Sequence, residues 1–110
     1  MIFELQRRED LERLVEQSKS RPILIFKHST QCSASDAAYE EFLKFTAEAS
    51  DVTCGLVLVL ENRDISDAIE SQFGVRHESP QAIVIEKGRQ TWNASHWSIT
   101  ADALERAMKG

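Results

Sequence analysis

Pro22-Ile23-Leu24-Ile25-Phe26-Lys27-His28-Ser29-Thr30-Gln31-Cys32-Ser33-Ala34-Ser35 decides the fold, because the hydrophobic period changes inside it. Pro22 to Lys27 is a short apolar, β-branched-rich run, whereas Ala37 to Phe45 carries bulky apolar groups at helical spacing. A strand therefore ends near Lys27, the chain turns through His28 to Gln31, and a helix runs from about Cys32 to Ala49. The strand is apolar on both faces, which predicts a central place in a sheet. A thiol at a helix N-terminus meets unpaired amides and the positive end of the dipole, and both favour its nucleophilic thiolate form. Ser35, three residues on, carries a hydroxyl suited either to that sulfur or to nearby backbone groups. The spacing is C-x-x-S, a redox pattern with serine where a second thiol would stand.

Strands and helices alternate outward from this stretch. Upstream, Leu11, Leu14 and Val15 form the apolar stripe of a helix over Glu9–Ser18, which Arg21-Pro22 stops. Downstream, Gly55 to Leu60 reads as a second apolar strand, suited to parallel pairing with the first through the helix between them. Ile65, Ala68, Ile69 and Phe73 mark a helix capped by Asp64 or Ser66 and closed by Gly74. Val75 to Gln81 is a loop that contains Ser79-Pro80. Ala82 to Ile85, a Lys87-Gly88-Arg89 turn and Gln90 to Ser95 make a β-hairpin, and Thr100 caps a last helix over Ala101–Met108. The expected architecture is α/β: a mixed four-stranded sheet with helices on both faces and an extra N-terminal helix, in one domain over residues 1–110.

Composition narrows the function. With 42% hydrophobic and 28% charged residues, only 4 Gly and 2 Pro, the 110-residue chain has the makeup of an ordinary globular domain. A net charge of −5 without a basic stripe disfavours nucleic acid as a partner. The longest apolar run is far short of a membrane span and the start lacks the order of a signal peptide, so no membrane partner and a cytoplasmic location are expected. Cys32 and Cys54 show no metal-ligand spacing and no disulfide framework, so no metal site is expected. In parallel strands they fall at opposite edges of the sheet, about 20 Å apart. A disulfide needs Cα atoms within about 7 Å. Cys54 therefore reads as a structural thiol.

The order of elements, with a cysteine after the first strand and a proline before the third, resembles the thioredoxin superfamily. More narrowly, Lys27–Ser35 (KHSTQCSAS), Phe73–Ala82 (FGVRHESPQA) and Trp92–Thr100 (WNASHWSIT) closely resemble the monothiol bacilliredoxin family, redox proteins of the bacillithiol system. The similarity runs from about Leu11 to Ala107. One position departs: that family usually has proline directly after the cysteine, where this chain has Ser33 and a less rigid first helical turn.

The resemblance implies a thioredoxin-like fold and a monothiol thiol-disulfide oxidoreductase with Cys32 as nucleophile. It implies no bound cofactor, bacillithiol as the low-molecular-weight co-substrate, and proteins in mixed disulfide with that thiol as partners. It also implies a cis Ser79-Pro80 peptide facing the cysteine, accessible because a cis X-Pro bond costs only about 0.5–1 kcal/mol. The Ser79 backbone is then free to pair with an extended ligand. Lys27, His28, Arg76 and His77 bring positive charge toward the two loops expected to converge on Cys32. On this reading Lys27, His28 and Ser35 stabilise the thiolate, and Ser79, Pro80, Arg76, His77 and His96 contact the ligand. Bacillithiol carries a malate group, which suits local positive charge. Trp92 and Trp97 are expected to pack in the hairpin. Two alternatives stay open: the same chemistry with glutathione or coenzyme A, and a non-catalytic thioredoxin-fold binding module. Only an enzyme requires an accessible, reactive Cys32.

Overall fold

In the computed structural model, which describes residues 1–109, the central apolar run forms strand β2 (Ile23–His28), and all six of its residues are buried. It lies between β3 (Thr53–Leu58), parallel to it and reached through helix α2 (Ser33–Glu48), and β4 (Gln81–Glu86), antiparallel to it. A short β1 (Ile2–Glu4) pairs parallel with β3 at one edge, and β5 (Arg89–Ser95) pairs antiparallel with β4 at the other. The sheet is five-stranded, in the order β1-β3-β2-β4-β5.

Alternation along β2 divides the interior in two. Ile23 and Ile25 pack under α1 (Arg8–Gln17) and α3 (Arg63–Phe73), against Leu11, Leu14, Ile65 and Ile69. Leu24 and Phe26 pack on the other face under α2 and α4 (Ala101–Lys109), against Ala38, Phe42, Phe45 and Leu104. Each fully buried Leu, Ile or Phe contributes roughly 1.5–3 kcal/mol, so both layers stabilise the sheet between them. The hairpin turn at Lys87-Gly88 has both residues at positive φ, the twist that suits a tight connection between right-twisted strands. Gly74 closes α3 in the left-handed conformation at φ 67°.

Three expectations need correction. The sheet has five strands rather than four, because Ile2–Glu4 joins β3 through Cys54 N–H donating to the Met1 carbonyl and Leu5 N–H to the Leu56 carbonyl. Three exposed residues are too few to show alternation. The second predicted strand lies two residues earlier than Gly55–Leu60: Thr53 pairs with Ile23 in the ladder, and Leu60 is past its end and exposed. Helix α3 starts at Arg63 with Asn62 as N-cap, so neither Asp64 nor Ser66 caps it, and Ser66 is buried inside the helix.

Gly55 faces α1, level with Ile25, and a Cβ built there would stand 2.5 Å from Leu14 Cδ2 and 2.8 Å from Leu5 Cδ1. Gly55→Ala is therefore expected to lower stability by about 1–3 kcal/mol by overpacking. Urea titration should show a lower midpoint at an unchanged slope; an unchanged midpoint would mean that Leu5 and Leu14 yield without cost.

Candidate active site

The carboxyl end of β2 and the amino end of β4 lie side by side, since Lys27 pairs with Gln81. The turn that carries Cys32 and the loop that carries Ser79-Pro80 therefore leave the same end of the sheet. Cys32 is the N-cap of α2 rather than a residue of its first turn: its backbone is extended (φ −132°, ψ 124°) and its carbonyl accepts the Asp36 N–H at 3.0 Å. The thiol is half-buried and makes no capping bond of its own. Below it begin the amides of Ser33, Ala34 and Ser35, which have no acceptor within the helix.

His28 and Ser35 anchor that turn from beneath. His28 is buried, its Nδ1 lies 2.7 Å from Ser35 Oγ, and Ser35 Oγ also accepts the Ser29 N–H at 2.9 Å. Tyr39 stacks on the His28 ring at a centroid distance of 4.5 Å and 15°. Ser35 and Tyr39 are four apart on α2, so one helical face holds the imidazole at its Nδ1 and across its plane. Sequence reasoning missed Tyr39, although its i, i+4 relation to Ser35 was visible. Of the two roles open to Ser35 in the sequence, the hydroxyl takes the backbone one, through Ser29 N–H, together with His28, and not the bond to the sulfur. Burial pushes His28 below the usual histidine range, with Asp36 and Glu61 opposing, so it stands as a neutral ring rather than the cation expected beside Cys32.

Lys27 also departs from expectation, because strand alternation sends it to the face opposite His28. It is fully buried, and its Nζ lies 3.2 Å from His77 Nδ1. Desolvation lowers its pKa to about 8, against the nearby Glu70 carboxylate. Lys27 therefore presents no charge to the N-terminus of α2. His77 is likewise committed inward: its N–H donates to Glu70 Oε2 at 2.7 Å, and burial and then Lys27 depress its ring pKa. Arg76 is exposed, and its carbonyl accepts Gln81 Nε2 at 2.9 Å.

The Ser79-Pro80 peptide is cis, and β4 pairing begins only at Gln81, so the Ser79 backbone lies outside the ladder. The Pro80 carbonyl accepts the N–H of His96 at 3.1 Å, and His96 takes φ 54°, an uncommon conformation for a residue with a Cβ. Its Nε2 stands 3.8 Å from Glu78 Oε1, a neighbour absent from the sequence reading. A 3-10 turn (His96–Ser98) follows and packs on α2. Trp92 packs against the α2 layer as expected, but Trp97 does not: it is 71% exposed beside this corner.

Cys54 is fully buried level with Leu24, and burial pushes its thiol up to about 12. An inert position within the sheet accounts for it.

The family description monothiol bacilliredoxin BrxC matches residues 3–104, and so spans the cysteine turn, the cis-proline loop and the His96 corner. The chain belongs to the monothiol bacilliredoxin family. A solved structure described from its thioredoxin fold as a candidate oxidoreductase is similar at 34% identity and a TM-score of 0.87, over 96% of this chain and 92% of its own. Thioredoxin of Fasciola hepatica (18% identity, TM-score 0.78, 96% and 95% covered) and mitochondrial thioredoxin 3 of Saccharomyces cerevisiae (19%, 0.75, 98% and 93%) share the fold. This bacilliredoxin is a thiol-disulfide oxidoreductase on a thioredoxin fold. No described helix is long and apolar enough to cross a membrane.

Two buried groups give the bacilliredoxin a testable pH signature. Lys27, depressed to about 8 from 10.5, is neutral in the fold between those values while the unfolded chain still holds the proton, so its contribution makes stability rise with pH across that window. Cys54, raised to about 12 from 9.0, acts with the opposite sign, because the unfolded thiol ionises first and stability falls as pH climbs past 9. The wild type minus Lys27→Met difference in unfolding free energy is expected to grow by about 2 kcal/mol between pH 8 and pH 10. Urea unfolding at both pH values checks it; a flat difference means that Lys27 keeps its proton.

Proposed function

We propose that this bacilliredoxin removes bacillithiol from proteins that carry it in mixed disulfide, with Cys32 as the attacking thiol. The supporting observation is a half-buried cysteine at the N-cap of a sixteen-residue helix, at the same sheet end as an unpaired backbone segment, Ser79, that an extended ligand can meet. The Cys32 thiolate attacks the bacillithiol sulfur of the mixed disulfide. That S–S bond breaks, the client sulfur leaves as a thiolate and takes a proton, and Cys32 is left bonded to bacillithiol. A second bacillithiol, as its thiolate, attacks this new disulfide. It releases oxidised bacillithiol and restores Cys32 as its thiolate, so each turnover consumes one free bacillithiol, which is the net reductant of the client sulfur. Ser79 and Pro80 form the docking edge, and exposed Arg76 and half-exposed His96 flank it as contacts for an anionic headgroup. The cytosol, where such thiols stay reduced, is the matching compartment.

Turnover is measured on a test protein whose single cysteine is capped in turn by bacillithiol, glutathione or coenzyme A, with release read by mass spectrometry. The bacillithiol adduct should be processed fastest; equal rates on all three would leave the redox activity but remove the assignment of its small thiol. Cys32→Ser should drop turnover to background, and protein isolated from its own host should carry bacillithiol on Cys32. Arg76→Glu should raise KM for the bacillithiol adduct several-fold by like-charge repulsion, with little effect on an uncharged alkyl-thiol adduct. Cys54→Ser should leave turnover within about twofold, since the thiol it replaces stays buried and protonated.

A further inference from the structure

A polar cluster on the α3 side of this sheet end takes no part in the chemistry above. Lys27 and Gln81 are register partners on β2 and β4, so their side chains leave the same face. Among the described residues, the one hydrogen-bond partner of the buried Lys27 ammonium is His77 Nδ1. Gln81 Nε2 holds the Arg76 carbonyl, and its Oε1 is buried without a partner. From α3, Glu70 holds the His77 N–H. Bonds from β2, β4 and α3 thus converge on Arg76-His77, directly upstream of Glu78-Ser79-Pro80.

Burying an ammonium costs several kcal/mol, and a methionine would fill the same space without that cost. What methionine lacks is a donor. An ammonium can only donate, so Nδ1 of His77 accepts, and the proton of the neutral ring sits on Nε2. Protonating His77 would set two cations 3.2 Å apart, with Arg63 of α3 adding to the repulsion and Glu70 and Asp67 of α3 opposing it.

We propose that Lys27 is a positioning residue: by donating to His77 Nδ1 it fixes His77 as the Nε2–H tautomer and holds Arg76–Pro80 where an extended ligand meets Ser79, which rests on the docking role given to Ser79 above. The bond opens when acid protonates His77, so the docking edge loosens on acidification through the loop and not through the sulfur.

The test uses full-length protein and the bacillithiol-capped test protein. Lys27→Met and His77→Phe should each raise KM about fivefold, the loss of one hydrogen bond, with kcat and the iodoacetamide rate of Cys32 within about twofold of the parent. The double variant should be no worse than either single one, because both remove the same bond. His77→Asn, whose amide oxygen takes the place of Nδ1, should keep the parental KM and lose the acid rise in KM that tracks His77 titration. Nitrogen-15 spectra of the wild type should show the Nε2–H tautomer of His77. The Nδ1–H tautomer there, or a parental KM in both Lys27→Met and His77→Phe, would overturn the positioning role. Docking is read separately, from shifts of the Ser79 and Gln81 amides when Cys32→Ser protein is titrated with the capped test protein. Shifts at those amides with unchanged KM in the Lys27 and His77 variants sink the role of Lys27 alone, whereas no shifts at all sink the docking reading.

Discussion

The last two residues of β2 fix the whole site, because Lys27 and His28 must leave opposite faces of one strand. His28 turns toward α2, where Ser35 and Tyr39 hold it, and so pins the turn that ends in Cys32. Lys27 turns toward α3, where it meets His77, and so reaches the loop that ends in Pro80. Two loops that belong to different layers of the fold are thereby referred to a single strand end. The β2–β4 register brings the same loops together a second time, through the Lys27–Gln81 pair. A slip of one residue would exchange the two faces and put the lysine under α2.

Much of this was legible in the sequence, for a physical reason. A buried parallel strand, a break in period and an amphipathic helix are local patterns, and they gave β2, α2 and the position of Cys32 at their junction. The hairpin and Gly74 were legible because positive φ leaves a residue signature. What stayed hidden depends on partners far along the chain. β1 is three exposed residues whose strand character comes only from β3. Leu60 looked like strand because it is apolar, but the ladder ends at Leu58. Lys27 reads as a cation near Cys32 because it adjoins the cysteine turn in sequence, and no local pattern announces a histidine fifty positions away as its partner.

The expected cluster of positive charge is the clearest failure, and strand geometry and burial explain it. Lys27 leaves the strand face opposite α2 to meet His77, and His28 and His77 are pushed below the usual histidine range, with desolvation as the leading cause in both. Of the four residues read as basic near Cys32, Arg76 alone stays exposed. Positive potential at the cysteine turn must then come mainly from the first-turn amides of α2, a source fixed by backbone geometry. This also bears on Ser33, where the family usually has proline. The helix begins at Ser33 here, and the His28–Ser35 bond supplies from below part of the restraint that a proline ring would supply from within the turn.

The same packing fits the monothiol mechanism proposed above. Once Cys32 holds the small thiol in that mechanism, an intramolecular second step would need another thiol within reach. Ser35 stands at the resolving position of the C-x-x-C spacing, but a hydroxyl cannot form a disulfide, and its oxygen is occupied by His28 and Ser29. Cys54 is the other sulfur. It is fully buried beneath the α2 layer, level with Leu24 near the far end of β2, and burial keeps it protonated to about 12. Neither residue is placed to displace such an adduct, so in the proposed cycle the thiol that regenerates Cys32 arrives from solution. In that proposal the half-buried Ser79 edge would serve both steps, holding first the capped client and afterwards the free thiol.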